Sequence, residues 1–489
     1  MNTLSGNLQN DLKTLKTLLP AEDILTYNFT TKNGVACALI YADGMVNKEL
    51  LGELVIRPLS EVILENGQGR YEMNENLIQE TVRFPELKIQ NSPKEFLTEV
   101  LDGNSLLLVD GCKQGFIVGA KLLPVRPPTE PPTNVSIKGP REGFIEDIKT
   151  DMALIRKRLK TPDLRMETIR MGKRSQTAVC IAYLQGTASA TLVKEIQKNL
   201  QKFEIDAIPD SSYIADFLSP KKTSIFRSVG TTEKPDVFCA KLAEGRIGIL
   251  VEGSPIALTL PYILTEDLQN PEDYFISPFM ATIFRSLRMI AVLLAIFLPA
   301  FYVSAQLFKM QLLPLGLMLT IASGVRELPL SPGLEMFVVL FLFEVLREAS
   351  IRMPKYVGMS LSVVGALVLG ETAVSAGFLS TPAIIIVAMS GICLYTVPDF
   401  VETGSILRWL FLIVGGSIGP FGIVLLGAFV LVYLLSFDAF GTPLLSPFSP
   451  FNVRDMRDAV LKYSLTALKT RPKFLRSENK TRLKVKEEK

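Results

Sequence analysis

Three charged residues lie within an otherwise apolar stretch in the second half of the chain. Glu344, Arg347 and Glu348 have i, i+3 and i+4 spacing in FEVLREAS, so on a helix Glu344 can pair with Arg347 on one face. Ionisable side chains inside a membrane are costly and face a bundle interior or an aqueous cavity. Two interpretations stay open: a structural ion pair near the membrane interface, or a carboxylate, Glu344 or Glu348, at the vestibule of an ion path.

A stripe of small, weakly polar residues follows at helical three-four spacing within residues 356–377. It consists of Gly358, Ser362, Gly365, Thr372 and Ala376, with Leu369 as the one bulky member. Small residues allow helices to pack closely in membranes, and the same stripe can line a pore, so both roles stay open. Glu371 lies beside the stripe near the end of the predicted helix. Its carboxylate can attract cations there, as acidic rings do in cation channels.

The composition excludes several other kinds of site. The chain has no histidine, which removes imidazole metal sites, histidine general bases and histidine pH switches. It has five cysteines without CxxC spacing, which indicates reduced, buried thiols rather than a zinc site or a disulfide framework. No P-loop, GxSxG, HExxH or dinucleotide-binding arrangement is present. We therefore expect no enzyme activity, no cofactor and no metal site.

Long apolar stretches must position the charged and small residues. A bilayer core about 30 Å thick needs roughly 20 mostly apolar residues per helix. The stretches lie at residues 291–308, 336–350, 356–377, 383–397 and 407–435. They predict four to six membrane crossings.

Basic residues at both ends of the apolar region bear on its orientation. Arg285 and Arg288 precede the first stretch, and the positive-inside rule places that end in the cytoplasm. The tail after residue 453 is also rich in Lys and Arg, and the number of crossings is even if both ends are inside. Either residues 407–435 then form a hairpin broken near Gly419 and Pro420, or residues 312–323 are re-entrant. The sequence does not decide between them.

The polar part of the chain, before the apolar region, contains an internal repeat. Similar apolar strands that end at glycine, residues 35–44 and 177–186, place Tyr41 and Tyr183 at an offset of 142, and residues 92–111 align without a gap on residues 234–253 at the same offset. Each copy predicts a strand, a helix, a variable middle, then a helix and a hairpin. The hairpins turn at Asp110-Gly111 and Glu252-Gly253, and the repeat favours this turn role over a catalytic role for the two carboxylates.

A proline-rich linker separates the two copies and leads into an amphipathic segment. Residues 144–159 place apolar side chains on one helical face and a basic cluster on the other. The cluster is either a solvated face or a docking surface for anionic lipid headgroups or a neighbouring subunit. The net charge of +3 is too small to indicate nucleic-acid binding.

The predicted fold is α+β with a membrane part: two tandem similar cytoplasmic α/β domains, then a polytopic α-helical membrane domain and a short basic tail. The N-terminus has leucines at helical spacing but no continuous apolar core, so it predicts an amphipathic helix rather than a signal peptide. The expected boundaries are 1–22 for this helix, 23–123 and 165–275 for the α/β domains, 124–164 for the linker, 279–437 for the membrane domain and 438–489 for the tail.

Several long motifs resemble the A subunit of the GerA-type spore germinant receptors. They include GPREGFIEDIKTDMALIRKRLK, FLPAFYVSA, FEVLREASIRMP and VGMSLSVVGALVLGETAVSAGFLSTPAIIIVA, and the resemblance covers nearly the whole chain. Family members usually carry an amide where this sequence has Glu371. That difference can alter ion selectivity.

The resemblance implies a nutrient germinant receptor in the inner membrane of a bacterial endospore, with the N-terminal domains on the core side. It implies a transporter-like B subunit that binds the germinant, a lipoprotein C subunit, and A subunits assembled in the lipid membrane as a ring, expected to be a pentamer, around a cation-conducting pore. The alternatives are a nutrient-binding protein of the secondary-transporter type and a non-conducting signal transducer or scaffold. The clear repeat lies in the polar part, which counts against a transporter.

Overall fold

The chain forms two compact units, Met1–Arg126 and Pro127–Lys489. The computed structural model describes residues 4–18, 24–43, 45–61, 75–122, 127–131, 138–312, 314–316, 318–319, 321, 328–352 and 371–483.

The first unit is an antiparallel sheet of five strands between two layers of helices. The strands are β1 (Ile24–Thr30), β2 (Ala36–Ala42), β3 (Leu87–Gln90), β4 (Ser105–Val109) and β5 (Gly115–Val118), in the spatial order β1-β2-β4-β5-β3. The helices are α1 (Leu8–Leu18), α2 (Lys48–Leu51), α3 (Arg57–Glu61), α4 (Glu75–Thr81) and α5 (Pro93–Leu101), and a π-helical turn, Gly52–Ile56, joins α2 to α3.

Alternating side chains of the central strands form two separate cores. Cys37 and Leu39 of β2 pack with residues of α2, α3 and α4 on one face, whereas Ala38 and Ile40 pack with α1 and α5 on the other. This is the two-residue period of a strand buried on both faces. The N-terminal amphipathic helix is therefore part of this core.

The second unit begins with the same arrangement. Its strands are β6 (Leu164–Met171), β7 (Thr177–Leu184), β8 (Gly230–Thr232), β9 (Ile247–Val251) and β10 (Ala257–Leu260), in the order β6-β7-β9-β10-β8. The helices are α6 (Ile148–Arg158), α7 (Ala190–Leu200), α8 (Ser211–Leu218) and α9 (Pro235–Glu244). Helices α7 and α8 cover one face, and α6 and α9 cover the other.

The predicted hairpins are present and have a second role in both units. The main-chain N–H of Gly111 donates to the carbonyl of Gly6 at 3.0 Å, and that of Gly253 donates to Glu146 at 2.8 Å. Both glycines have positive φ, which favours glycine in such turns. The Asp110 and Glu252 carboxylates accept from the N–H groups of Leu8 and Ile148, the first residues of α1 and α6. The repeat therefore includes the helix that precedes each sheet.

The helix predicted over residues 144–159 is shorter than expected. It begins at Ile148 because the Asp147 carboxylate caps it, accepting from the N–H of Thr150 at 2.8 Å. Phe144 lies before the helix and is buried against α9. On the polar face, Lys157 and Arg158 pair with Glu142 at 2.9 and 2.8 Å. Two members of the basic cluster are therefore held within the chain.

The remaining long helices pack as a bundle around the longest one. They are α10 (Pro278–Phe308), α11 (Pro332–Arg352), α12 (Thr381–Tyr395), α13 (Val401–Ile418) and α14 (Pro420–Leu435). The segments Pro278–Phe308 and Pro398–Ile418 are long and apolar enough to cross a membrane, and α12 and α14 are shorter apolar helices. The first begins well before the predicted span at Ala291. The helical run is broken at Gly419, between Ile418 and Pro420, as one of the two alternatives left open requires.

The bundle has two ends that differ in their contacts. At the domain end, the Thr403 hydroxyl donates to the carbonyl of Ile225 at 2.7 Å, and the Phe226 and Tyr433 rings lie 6.0 Å apart. At the distal end, an added Cβ on Gly419 would lie 2.8 Å from the Phe308 ring. Helices that are joined by a described connection therefore run in opposite directions. Helix α13 runs from the domain end to the distal end, and α14 runs back.

The C-terminal tail folds back on the second sheet instead of extending away. The Arg471 guanidinium donates to the carbonyl of Ala243 at 2.8 Å, and the N–H of Glu478 donates to Thr187 at 3.1 Å. A two-strand ribbon, β11 (Asp438–Ala439) with β12 (Thr442–Pro443), starts this return.

All five cysteines are free and buried, as the sequence predicted.

Replacing Asp151 by Asn should remove part of the pH dependence of folding. Asp151 is buried and accepts from the N–H of Ile145 at 3.0 Å; burial raises its pKa from 3.8 to about 8. Because the folded pKa is the higher one, stability is greatest below pH 4 and is lost as pH rises toward 8, by at most about 1.4 kcal/mol per pH unit.

The free energy of unfolding, measured by denaturant titration in detergent at pH 5 and pH 8, tests this. Asp151→Asn keeps the acceptor oxygen and should lose stability less steeply than the original chain between these two pH values. Asp216→Asn, at an exposed helical position, is the control and should keep the original slope. Parallel slopes for Asp151→Asn and the original chain would contradict the prediction.

Candidate functional site

A buried group of ion pairs joins the second sheet to the start of the helical bundle. The Asp273 carboxylate accepts from Arg285 Nε at 2.9 Å and from an Arg288 Nη atom at 2.5 Å. The side chains of Asp273 and Arg285 are each 1% exposed. Burial raises the pKa of Asp273, but the two arginines outweigh it and hold this pKa below its usual value. The carboxylate therefore stays charged.

Local sequence positions both partners. Asn270 and Asp273 form a capping box around the short 3-10 helix Pro271–Tyr274, which fixes the carboxylate in place. Ser277 caps α10, accepting from the N–H of Met280. Arg285 and Arg288 have i, i+3 spacing on α10, so both reach the same side. From the sequence alone, these two arginines indicated only the orientation of the first apolar stretch in a membrane.

The C-terminal tail adds a second carboxylate to the group. Arg285 donates to the Asp458 carbonyl at 2.6 Å, and the Asp458 carboxylate lies 3.1 Å from Lys462 Nζ. That ammonium group lies 3.7 Å from the centre of the Tyr274 ring, within range of a cation–π interaction. Sheet, helix and tail are thus held at one point, which we call the basal junction: Asp273, Arg285, Arg288, Asp458 and Lys462.

A second ionic group lies beside the basal junction. Glu266 pairs with Arg246 and, at 2.8 Å, with Lys241 of α9. Burial raises the pKa of Glu266, but the charges of Arg246 and Lys241 outweigh it and lower the pKa overall. Burial raises the pKa of Asp267 to about 6, because the nearby charge of Arg227 offsets only part of the effect.

A cavity of about 310 Å³ lies between β8, α9 and the segment that leads to α10. Aromatic side chains form part of its wall, and the charged groups of both signs around Glu266 form another part. The aromatic residues are Tyr262, Tyr274 and Phe275. Arg227, which also lines it, bonds to the Asp399 carbonyl just before α13. Such a cavity can take a small polar molecule, and its walls belong to the elements that carry α10 and α13.

The charged residues predicted within the apolar region do come together. Glu344 pairs with Arg347 at 2.8 Å, which confirms the predicted pairing. Glu344 also pairs with Arg408 of α13, whose side chain is 1% exposed and donates to Ser390 at 3.1 Å. Glu348 instead pairs with Arg352 at 2.6 Å, and both side chains are largely exposed.

The predicted pore stripe is described only in part. Gly358, Ser362, Gly365 and Leu369 lie outside the described residues. Glu371, Thr372 and Ala376 are exposed. The described helix there, Ala373–Ser375, ends before Gly377, which has a φ of +70°. The helix therefore ends slightly earlier than the expected end at Gly377.

Sequence reasoning missed Arg408, Asp273 and Asp458. A signal existed for Arg408, because a single cation in the apolar run LRWLFLIV requires a buried partner. No comparable signal existed for Asp273 and Asp458, which lie far apart in the sequence and meet only through Arg285. Among the described residues, no three carboxylate or thiol side chains gather to hold a metal ion.

Comparison with known proteins gives one consistent result. The family described as Bacillus/Clostridium GerA spore germination protein matches residues 11–474. The uncharacterized membrane protein YfkQ of Bacillus subtilis is 33% identical over 96% of this chain and 91% of its own length. Spore germination protein KA of Bacillus subtilis is also 33% identical, over 92% of this chain and 82% of its own length.

One solved structure is also similar in sequence. It is the crystal structure of the N-terminal domain of the A subunit of the Bacillus megaterium spore germinant receptor GerK3. It is 26% identical, covers 53% of this chain and 95% of its own, and has a TM-score of 0.21.

Replacing Asp273 by Asn should destabilise the chain strongly. The change leaves two buried guanidinium groups without their shared counter-charge, and breaking a buried pair in this way costs about 3–5 kcal/mol. Denaturant titration in detergent measures the loss. Glu348→Gln removes one partner of an exposed pair and should change stability by less than about 1 kcal/mol. Equal effects of the two substitutions would show that the basal junction is not a main source of stability.

Proposed function

The chain belongs to the Bacillus/Clostridium GerA spore germination protein family, and from this membership we propose that it is the membrane A subunit of a nutrient germinant receptor that triggers endospore germination. The match over residues 11–474 carries the proposal, because it includes both sheets and the helical bundle. The names of two relatives from Bacillus subtilis, spore germination proteins KA and B1, support the same role. Enzyme activity is not part of this proposal.

We place the helical bundle across the inner membrane of the spore. The two apolar segments of spanning length, and a relative named as a membrane protein, support this placement. We infer five crossings by the described long helices, and the predicted helix over residues 356–377 would make six. An even number puts the tail on the same side as the second sheet, in agreement with its contacts to Ala243 and Thr187. Both α/β domains then face the spore core.

Within the receptor, we assign this chain a germinant-gated cation channel formed by several copies, with a ring of five expected. The helix over residues 356–377 would line the pore, with Glu371 at its end. The family resemblance supports this assignment, together with a transporter-like B subunit and a lipoprotein C subunit as partners. A non-conducting transducer or scaffold is the alternative, and the basal junction suits it equally well because it couples a polar domain to the bundle.

Gating needs a path from a binding event to the helices. A ligand shifts a conformational equilibrium only by its difference in affinity for the two states. The basal junction holds the second sheet, α10 and the tail at one point. If one of these three elements changes its orientation, either its ion pairs at the junction break or the other two elements move with it. We therefore assign it the coupling of partner or ligand binding to the bundle.

The native mass of the detergent-solubilised complex tests the oligomeric state. A pore on a symmetry axis needs several copies of this chain, whereas a transducer does not. We expect a ring of about five copies when the mass is measured by light scattering corrected for detergent. A single copy that is stable with its partners present would leave this chain as a transducer or scaffold.

Substitutions in the predicted stripe test the pore itself. Ser362→Trp should slow nutrient-triggered potassium release from spores, because a bulky side chain obstructs a narrow path. Glu371→Gln should change the ratio of potassium to sodium released, because it removes a cation-attracting charge. The baseline is set by spores that lack this chain and by spores with the original chain.

The controls place similar changes elsewhere in the bundle. Ser417→Trp adds the same bulk at an exposed position of α13, and Glu348→Gln removes an exposed carboxylate of α11. Both should leave release close to the original. If stripe variants that assemble normally release ions as the controls do, the helix over residues 356–377 does not line the pore.

A further inference from the structure

A group of buried polar side chains lies at the distal end of the bundle. Glu335 is in the first turn of α11 and is 0% exposed. Tyr302 and Gln306, on neighbouring turns of α10, are 6% and 9% exposed. Ser380 caps α12, and its N–H donates to one carboxylate oxygen of Glu335 at 2.5 Å. Three helices thus meet around one carboxylate and two neutral polar side chains. We call Glu335, Tyr302 and Gln306 the distal cluster.

The side chains of the distal cluster are close to each other but poorly satisfied. Tyr302 lies within interaction range of Glu335, Gln306 and Ser380. Within the described residues, the second Glu335 oxygen and both amide atoms of Gln306 form no well-aligned hydrogen bond, and the Tyr302 hydroxyl contacts Gln306 and Ser380 only in poor hydrogen-bond geometry. Buried polar atoms are nearly always paired, and each unpaired one costs about 1–3 kcal/mol. Several in one place indicate a group that binds between them.

The charge of Glu335 indicates the sign of that group. Glu335 lies in the first turn of α11 and accepts from the N–H of Ser380, just before α12, so its carboxylate lies at two helix starts, where acidic side chains are favourable. The described residues supply no lysine or arginine within ion-pair distance of it. A buried carboxylate without a counter-charge is very costly. The bound group should therefore be a cation.

We propose that Glu335, Tyr302 and Gln306 bind one dehydrated monovalent cation, of the sodium or potassium class. One carboxylate oxygen, one hydroxyl and one amide oxygen are hard oxygen ligands, which suit alkali cations, and a single negative charge balances a single positive one. Divalent cations usually recruit more carboxylates than this.

Glu344, a partly buried carboxylate of the same bundle, provides a comparison. Glu344 is neutralised by Arg347 and Arg408, so it has no need of a bound cation. Both carboxylates are on the same helix, α11. Glu344 is 15% exposed and Glu335 is 0% exposed, and among the described residues only Glu344 of these two has cationic partners.

The cation site adds a ligand to the proposed function. It rests on that function only for the placement of the bundle in a membrane. Cation binding at equilibrium can be measured without any flux. If the chain binds a cation at Glu335 but spores release no potassium through it, the channel proposal is overturned and the cation site stands. If potassium is released but no cation binds at Glu335, only the cation site is overturned.

Equilibrium binding of radioactive rubidium to the purified full-length chain in detergent tests the proposal, with sodium and potassium as competitors. Ionic strength is held constant with N-methylglucamine chloride, and pH is fixed. We expect saturable binding that both competitors displace. Glu335→Gln keeps the acceptor for the Ser380 N–H and should weaken binding roughly tenfold or more. Tyr302→Phe and Gln306→Leu should weaken it in the same direction.

Glu344→Gln is the control, and it should retain rubidium binding even if the chain becomes less stable. Thermal unfolding in the same salts gives a second readout, since a cation that binds only the folded chain raises its melting temperature. The melting temperature should rise with potassium for the original chain and stay constant for Glu335→Gln. Absence of saturable binding, binding unchanged in Glu335→Gln, or stability that follows pH but not cation concentration would each overturn the proposal.

Discussion

The buried pairing of Asp273 with Arg285 and Arg288 is the interaction on which the second unit depends. Apolar contacts have no preferred direction, but a carboxylate shared by two guanidinium groups fixes both distance and orientation. This pairing sets where α10 leaves the second sheet, and α10 carries the rest of the bundle. Asp458 extends the pairing to the tail. One group of charges therefore fixes the position of elements that are far apart in the sequence.

Duplication explains the fold of the polar part, and divergence explains the difference in role between its two copies. Both sheets have the same strand order, and equivalent turns hold equivalent helices. At an offset of 142, however, Arg246 and Lys241 correspond to Asn104 and Glu99. In the first copy these two form a polar contact at 2.5 Å, whereas in the second both cations pair with Glu266. The ionic group around Glu266, beside the basal junction, is thus a property of the second copy.

The sequence predicted what periodicity and local chemistry determine. The offset of 142, the hairpins at Asp110 and Glu252 and the Glu344 pair with Arg347 all follow from short-range patterns, and the structure has each of them. The break at Gly419, which the sequence left as one of two alternatives, is also present. The basal junction could not be predicted, because Asp273 and Asp458 are unremarkable acidic residues until the fold brings Arg285 between them. The boundaries at Ile148 and Pro278 were missed because capping by Asp147 and Ser277 overrides the hydrophobic pattern.

The charges of α11 bear on the choice between the two roles considered for Glu344. A carboxylate that guards an ion path must present negative charge to the cation. Glu344 shares its charge with Arg347 and Arg408, so the three together are positive by one unit. A cation approaching them meets a net positive charge on largely buried side chains, where screening is weaker than in bulk water. The ion pairs link α11 to α13 and support the structural role, and the vestibule role of Glu344 stays a prediction.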